Sequence, residues 1–331
     1  MTWPVGVLLG SAVSRSPKTA RAQSIRSRSG GRRWVAGTVP GRSSFKGRGG
    51  CWRGGVAVST RSPTISVLMP MWQAESTVAL ALGSVLRQSC GDWECVVVDD
   101  GSSDHSVEIV RELARSEPRI RLVASERMGL VPALNRGLAE CRGRYVARFD
   151  ADDVMLEDRL RLQLEALRSA GAPALVGAHV RLWSPPRGAA VSTGGAAATL
   201  GPPLGLEADP WSDELSGPCL LTEGMRRYQG WLDGLRDADG LEAALFVECP
   251  LPHPTFFASR ALFAKYGYRD CGWPEDYDLL LRLSAAGLRL GVVPTPLLLW
   301  RDGPGRLSRT GSAYHQRAFV ACKAWHLSER Y

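Results

Sequence analysis

Acidic residues are absent from the first 62 positions. That stretch holds 12 Lys or Arg and no Asp or Glu, and the first acid of the chain is Glu75. The formal net charge of +8 therefore divides into +12 for residues 1–62 and −4 for the remainder, so the basic isoelectric point belongs to the leader. An acidic remainder argues against a folded part built as a nucleic-acid clamp. The leader is rich in Arg, Ser and Gly, scatters Trp3, Trp34 and Trp52, and sustains neither a helical nor a strand period, so disorder is expected over 1–62. An acid-free Arg/Ser segment is found in organelle transit peptides, in tethers to nucleic acid or anionic membrane, and ahead of start codons placed too far upstream; composition does not separate these.

Paired cysteines are missing as well. The eight cysteines are spread singly with no Cys-x-x-Cys, which excludes a zinc ribbon or disulfide framework and fits a reducing compartment. No apolar run approaches membrane-spanning length, and Val5 to Leu9 is too short and lacks a basic region before it, so neither a transmembrane helix nor a signal peptide is expected. The expected location is cytoplasmic or at a membrane periphery, or an organelle where the leader acts as a transit peptide. No Gly-x-Gly-x-x-Gly follows the first strand and no Gly-Lys-Ser/Thr is present, so the phosphate cradles of dinucleotide dehydrogenases and P-loop enzymes are lacking.

What is there is an alternation of strands and helices, in a 331-residue chain apolar enough, at 44%, for a sizeable core. After Ser62-Pro63, Ile65 to Met69 reads as a buried strand ended by Pro70. Val78, Leu82, Val85 and Leu86 then recur at helical spacing within Glu75 to Gln88. Strands Glu94 to Val98, Ile120 to Ala124 and Tyr145 to Phe149 alternate with helices Asp104 to Ser116 and Leu130 to Cys141. This predicts an α/β fold, a mostly parallel sheet flanked by helices, with ligands at the carboxyl ends of its strands. Pro70, Asp99-Asp100 and Asp150 to Asp153 all fall at such ends.

The last of these is the densest. Tyr145-Val146-Ala147-Arg148-Phe149 runs straight into Asp150-Ala151-Asp152-Asp153. Like charges this close repel unless a cation sits among them, and an all-oxygen set suits Mg²⁺ or Mn²⁺, which could then hold a diphosphate. The bland alternative is a solvated turn capping the helix Glu157 to Ala170.

Residues 184–218 shift to Pro, Gly and Ala and read as a long loop over one edge of the sheet. Helical patterns resume at Arg226 to Leu235 and Leu241 to Phe246, Phe256 to Ala258 reads as a strand, and Trp273-Pro274-Glu275-Asp276-Tyr277-Asp278 opens a helix to about Ala286. Strands Leu288 to Val293 and Pro296 to Trp300, a basic loop with Arg301, Arg306 and Arg309, and a helix near Tyr314 to Leu327 complete the chain. Glu275, Asp276 and Asp278 compete as a general base, against the plain reading that acids favour a helix N-terminus.

With Pro70, Asp99-Asp100-Gly101-Ser102-Ser103-Asp104, Ala133-Leu134-Asn135, Arg148-Phe149-Asp150-Ala151-Asp152-Asp153, His253-Pro254-Thr255 and Glu275-Asp276-Tyr277-Asp278-Leu279 in order, the chain resembles the family 2 glycosyltransferases of the Rossmann-like GT-A fold over about residues 64–315. The resemblance implies a GT-A domain at 63–315, made of a nucleotide-sugar half (63–183), a variable loop (184–225) and an acceptor and catalytic-base half (226–315), with a helical tail at 316–331. It implies an inverting transfer from a nucleotide-diphosphate sugar, UDP-linked by expectation, with Mg²⁺ or Mn²⁺ as cofactor. Pro70, Asp99, Asp100, Asp150 and Asp152 become donor contacts, Asp152 and Asp153 metal ligands, and Asp276 the base. Glu275 is left to orient or bind the acceptor, His253 is an acceptor or diphosphate contact or else structural, and Trp273 stacks on an acceptor sugar or else fills core. Arg306 and Arg309 are placed over the diphosphate because Arg pairs bidentately with phosphate oxygens; a solvated basic loop is the alternative. One departure stands out: Trp72-Gln73 occupies the usual Tyr-Asn position, which puts base identity in doubt.

Rival readings are a sugar nucleotidyltransferase, which would carry a Gly-rich loop with an early Lys or Arg after the first strand, and a non-catalytic nucleotide-sugar-binding scaffold, which would have lost Asp152, Asp153 or Asp276. The acceptor stays open among saccharide, lipid, protein and, from the layout of Arg227 to Leu232 and the later Pro-Glu-Asp, the queuosine of tRNA.

Overall fold

The computed structural model describes residues 62–183, 223–303 and 306–329. The leader through residue 61 and positions 184–222 of the variable loop lie outside them. The first half alternates as expected: β1 (Ile65–Met71), α1 (Val78–Leu86), β2 (Trp93–Asp100), α2 (Ser106–Ser116), β3 (Ile120–Ser125), α3 (Leu130–Glu140) and β4 (Tyr145–Arg148). A two-residue β5 (Val154–Met155), α4 (Arg159–Arg168) and β6 (Leu175–Trp183) follow, then α5 (Glu223–Gly234) and α6 (Ala238–Ala244). The remainder holds β7 (Phe257–Ser259), α7 (Arg260–Tyr266), α8 (Glu275–Ala285), β8 (Leu290–Arg301), α9 (Leu307–Thr310) and α10 (Gln316–Ser328).

The sheet runs β3-β2-β1-β4-β7-β6-β8-β5. Four of its pairings are parallel and three antiparallel, the latter made by β7 and β5. Because β1, β2 and β4 are mutually parallel neighbours, their carboxyl ends come out on one edge. The antiparallel β7 begins at that edge, which brings His253–Thr255 there. Two inversions, β4 to β7 and β7 to β6, return β6 and β8 to the direction of β4, so β8 ends at the same edge with Trp300 and Arg301. Sequence patterning did not set apart β6 or α7, and it split β8 in two. The strand is continuous, and the cause of the split is visible: Pro294 and Pro296 cannot donate to the ladder, and the register against β6 shifts at His179, opposite Pro296.

Strand alternation divides the core between the two faces. Val67, Met69, Cys95 and Val97 join Val78, Leu82 and Val85 of α1 and Val110 of α2 on one side. Leu68, Val96 and Val98 join Ala133 and Leu134 of α3 and Leu279 and Leu280 of α8 on the other. Each such fully buried side chain stabilises the fold by about 1.5–3 kcal/mol. Gly137 lets α3 lie directly on the sheet, since a Cβ there would collide with the Leu68 and Val98 side chains. The segment 316–331, set apart by sequence as a tail, contains α10, whose Cys322 and His326 are buried and whose Phe319 ring lies 5.7 Å from that of Tyr277 on α8. Among the described residues no helix is long and apolar enough to cross a membrane.

Candidate active site

A cleft of about 700 Å³ opens at the convergent edge, lined among others by Pro70, Trp72, Asp100, Arg148, Asp150, Asp152, His253, Glu275, Asp276, Trp300, Arg306 and Tyr314. At its β2 wall, Asp100 is held by backbone donors: Met128 N–H at 2.7 Å and Gly129 N–H at 3.1 Å to Oδ1 and 3.0 Å to Oδ2. The loop that supplies them lies so close that a Cβ on Gly101, at φ +70°, would sit 2.6 Å from Arg127 N. Asp99, one residue earlier on the strand, points the other way. Its carboxylate accepts Ser102 N–H at 3.2 and 3.3 Å, and it is not part of the cleft lining.

The departure at Trp72-Gln73 takes a definite form. Trp72 is half exposed, with the Arg127 guanidinium 3.4 Å over its ring. Gln73, at φ 50°, spends its side-chain oxygen on Ser103 N–H at 2.7 Å and its own N–H on Ser102 Oγ at 3.0 Å. The Gln73 side chain thus ties the loop after β1 to the loop between β2 and α2.

At the β4 tip, Asp150 pairs with the buried Arg148 at 2.6 Å. Asp153 is buried; its Oδ1 accepts Arg301 N–H at 2.8 Å, and its Oδ2 has no protein partner. Asp150, Asp152 and Asp153 each bring an oxygen within 4.8 Å of the others. Burial first and Asp150 second push Asp152 up to about 6, and burial with both neighbouring carboxylates raises Asp153 well above the usual range. Beneath them the fully buried Arg159 donates to Arg148 O at 2.7 Å and Gln163 Oε1 at 2.9 Å, and burial pushes it down to about 9. An all-oxygen set with one orphaned buried carboxylate oxygen suits a hard divalent cation.

The first turn of α8 separates its three acids. Asp278 is fully buried away from the cleft, accepting Arg269 at 2.5 Å, Arg282 at 2.7 Å and His326 at 3.1 Å, partners that hold it far below the usual carboxylate range. Asp276 lines the cleft; burial and the adjacent Glu275 push it up to about 8. Glu275 is buried, with Tyr314 donating to Oε2 at 2.5 Å and His253 Nδ1 3.2 Å from Oε1. His253 Nε2 lies 3.0 Å from the Tyr268 hydroxyl, and burial ahead of Arg148 lowers the imidazole's pKa.

Asp99, expected as a donor contact, is thus turned away from the cleft by strand alternation, and two further expectations are altered. Trp273 is absent from the cleft lining: its ring packs on Trp325 at 5.8 Å and its Nε1 reaches Asp278 at 3.3 Å. Arg309 is also absent, because both its contacts, 2.6 and 2.9 Å, go to the buried Asp302. Arg306 does line the cleft, lying over Trp300 at 4.2 Å with Asp302 3.7 Å away. Sequence reasoning missed Arg148, Arg127 and Tyr314. Only Arg148 left a signal, a cation inside an otherwise apolar strand.

Residues 66–182 match the family model described as Glycosyl transferase family 2. Over that stretch the chain is similar to the family 2 glycosyltransferases. The chain is 36% identical over 104 residues, 31% of this chain and 40% of the relative, to the UDP-Glc:alpha-D-GlcNAc-diphosphoundecaprenol beta-1,3-glucosyltransferase WfgD of Escherichia coli. It is 38% identical over 104 residues, 31% of this chain and 41% of the relative, to the putative teichuronic acid biosynthesis glycosyltransferase TuaG of Bacillus subtilis. The chain thus spans less than half the length of these curated relatives. The fold is similar to a crystal structure of S. aureus TarS residues 1–349 in complex with UDP-GlcNAc, with TM-score 0.50 and 17% identity over 80% of this chain and 66% of that one. Asp276, Glu275 and Arg306 lie outside the stretch the family model matches.

Proposed function

We propose that the cleft transfers a sugar from a nucleotide-diphosphate donor, UDP-linked, to an acceptor hydroxyl with inversion. The observation that carries this is the meeting, in one cleft, of a carboxylate cluster suited to a divalent cation and a second carboxylate, Asp276, whose surroundings favour taking up a proton. The reaction is a single in-line displacement. Asp276 takes the acceptor's hydroxyl proton, the acceptor oxygen bonds to the anomeric carbon, and the bond from that carbon to the diphosphate oxygen breaks. Asp150, Asp152 and Asp153 would hold Mg²⁺ or Mn²⁺, which when bound supplies positive charge to the leaving diphosphate. Arg306, held over Trp300, adds positive charge beside it. Asp100, fixed by two backbone donors, faces the nucleoside end. Support for a UDP donor comes from WfgD, whose name specifies UDP-Glc.

The test replaces Asp276 with Asn, which keeps size and removes basicity. Screened against UDP-glucose, UDP-galactose and UDP-N-acetylglucosamine with Mn²⁺, Asp276→Asn is expected to lower transfer to water or acceptor by about 10²–10⁴-fold while UDP affinity is retained. Near-normal turnover would sink the assignment, and loss of UDP binding would place Asp276 in the scaffold of α8.

A further inference from the structure

Glu275 and Asp276 are adjacent carboxylates sharing one dry end of the cleft, and they differ in what reaches them. Glu275 accepts a hydrogen bond from Tyr314 on Oε2 and has His253 Nδ1 3.2 Å from Oε1, while the Asp276 side chain accepts its neighbour's backbone Tyr277 N–H at 2.8 Å. His253 Nε2 lies 3.0 Å from the Tyr268 hydroxyl on the side away from Glu275. Tyr314 comes from elsewhere: it ends a short turn, Ser312–Tyr314, next to α9, and neither of these segments buries a residue. That stretch nevertheless lines the cleft through Arg306, Leu307, Ser308 and Thr310.

We propose that Tyr314 is a positioning residue which, through its hydrogen bond to Glu275, makes Asp276 the carboxylate that takes the proton; this rests on the reading of Asp276 as the base. Where two neighbouring carboxylates share a proton it goes to the one less stabilised as an anion, and beside Glu275, with Tyr314 and His253 against it, Asp276 has the backbone Tyr277 N–H alone. Remove the Tyr314 hydroxyl and Glu275 keeps only its His253 contact, so the proton moves toward Glu275 and Asp276 becomes the weaker base. The other groups facing the pair do not compete. Arg148 on β4 acts on both as a fixed cation. Burial keeps Tyr228 on α5, Cys249 and Tyr268 neutral, and pushes Cys322 on α10 up to about 12.

The experiment follows Asp276 directly by carboxyl ¹³C NMR in protein labelled at aspartate side chains, its resonance assigned by its loss in Asp276→Asn. In Tyr314→Phe the midpoint of Asp276 is expected to fall by about one pH unit. Glu275→Gln lowers it as well, and adding Tyr314→Phe to Glu275→Gln lowers it no further, because the hydroxyl acts through that carboxylate. The rising limb of Mn²⁺-supported UDP-glucose hydrolysis moves with the midpoint, at unchanged KM. A Tyr314→Phe midpoint equal to wild type, or a shift that persists in the Glu275→Gln background, overturns the proposal. A midpoint that moves as stated while Asp276→Asn still hydrolyses UDP-glucose at the wild-type rate upholds the link and removes the base reading instead.

Discussion

Asp278 receives two guanidinium groups, His326 and the Trp273 indole, whereas Asp276, two positions earlier in the same helical turn, faces the cleft beside another carboxylate. Identical chemistry thus gives one anion locked in place and one carboxylate ready to exchange a proton. The base works only when deprotonated, so wild-type turnover should rise with pH through about 8, the value to which burial and Glu275 push Asp276. Glu275→Gln removes the adjacent negative charge and should move that limb to lower pH. A pH–rate profile of UDP-sugar hydrolysis reads both, and a limb that stays in place when Glu275 is neutralised would assign the limb to another group. At this scale the sequence was informative where chemistry is local: the Asp150 to Asp153 run and the α8 acids were legible as clusters. The choice among the α8 acids was not, because it depends on Arg269 and His326 arriving from other elements.

The elements around α8 are joined by that same Asp278. It binds the turn before α8 through Arg269, α8 itself through Arg282, and α10 through His326, so replacing it leaves buried donors unpaired. Asp278→Asn is therefore expected to destabilise the fold by about 3–5 kcal/mol in urea unfolding, with Arg282 and His326 contributing more than Arg269, which is over a third exposed. The folded-state pKa of Asp278 lies below its ordinary value, so the stabilisation is complete above that ordinary value and is lost as pH falls below it. A loss under about 1 kcal/mol, the level of an exposed pair, would contradict this account. Strands β1, β2 and β4 were readable because strands buried on both faces appear as short apolar runs ended by Pro or Asp. β6 carries Gly177, His179 and Arg181 within its span, and this polarity hides it; yet Gly177 is there because Leu251 leaves no room for a Cβ. α7 starts immediately after β7 with Ser259 as its cap, which leaves no loop to mark the change.

Across the whole molecule, topology does what no single motif does. The parallel run of β2, β1 and β4, with two inversions that return β8 to the same direction, delivers Asp100, Asp150, Asp152, Trp300 and Arg306 to one edge, and α8 sets Asp276 across from them. That edge follows from alternating strands and helices, so it was legible in outline. The contacts of Tyr314 and Arg127 were not, since they depend on loops meeting across the cleft. The central claim is that the β4 acid cluster holds a cation that binds the donor's diphosphate. Its most direct measurement is calorimetric titration of UDP into wild type and Asp152→Asn, each with Mn²⁺ and with EDTA. Wild type should bind UDP more tightly with Mn²⁺, and Asp152→Asn should lose most of that difference. Equal affinities of the wild type with and without metal would contradict the account.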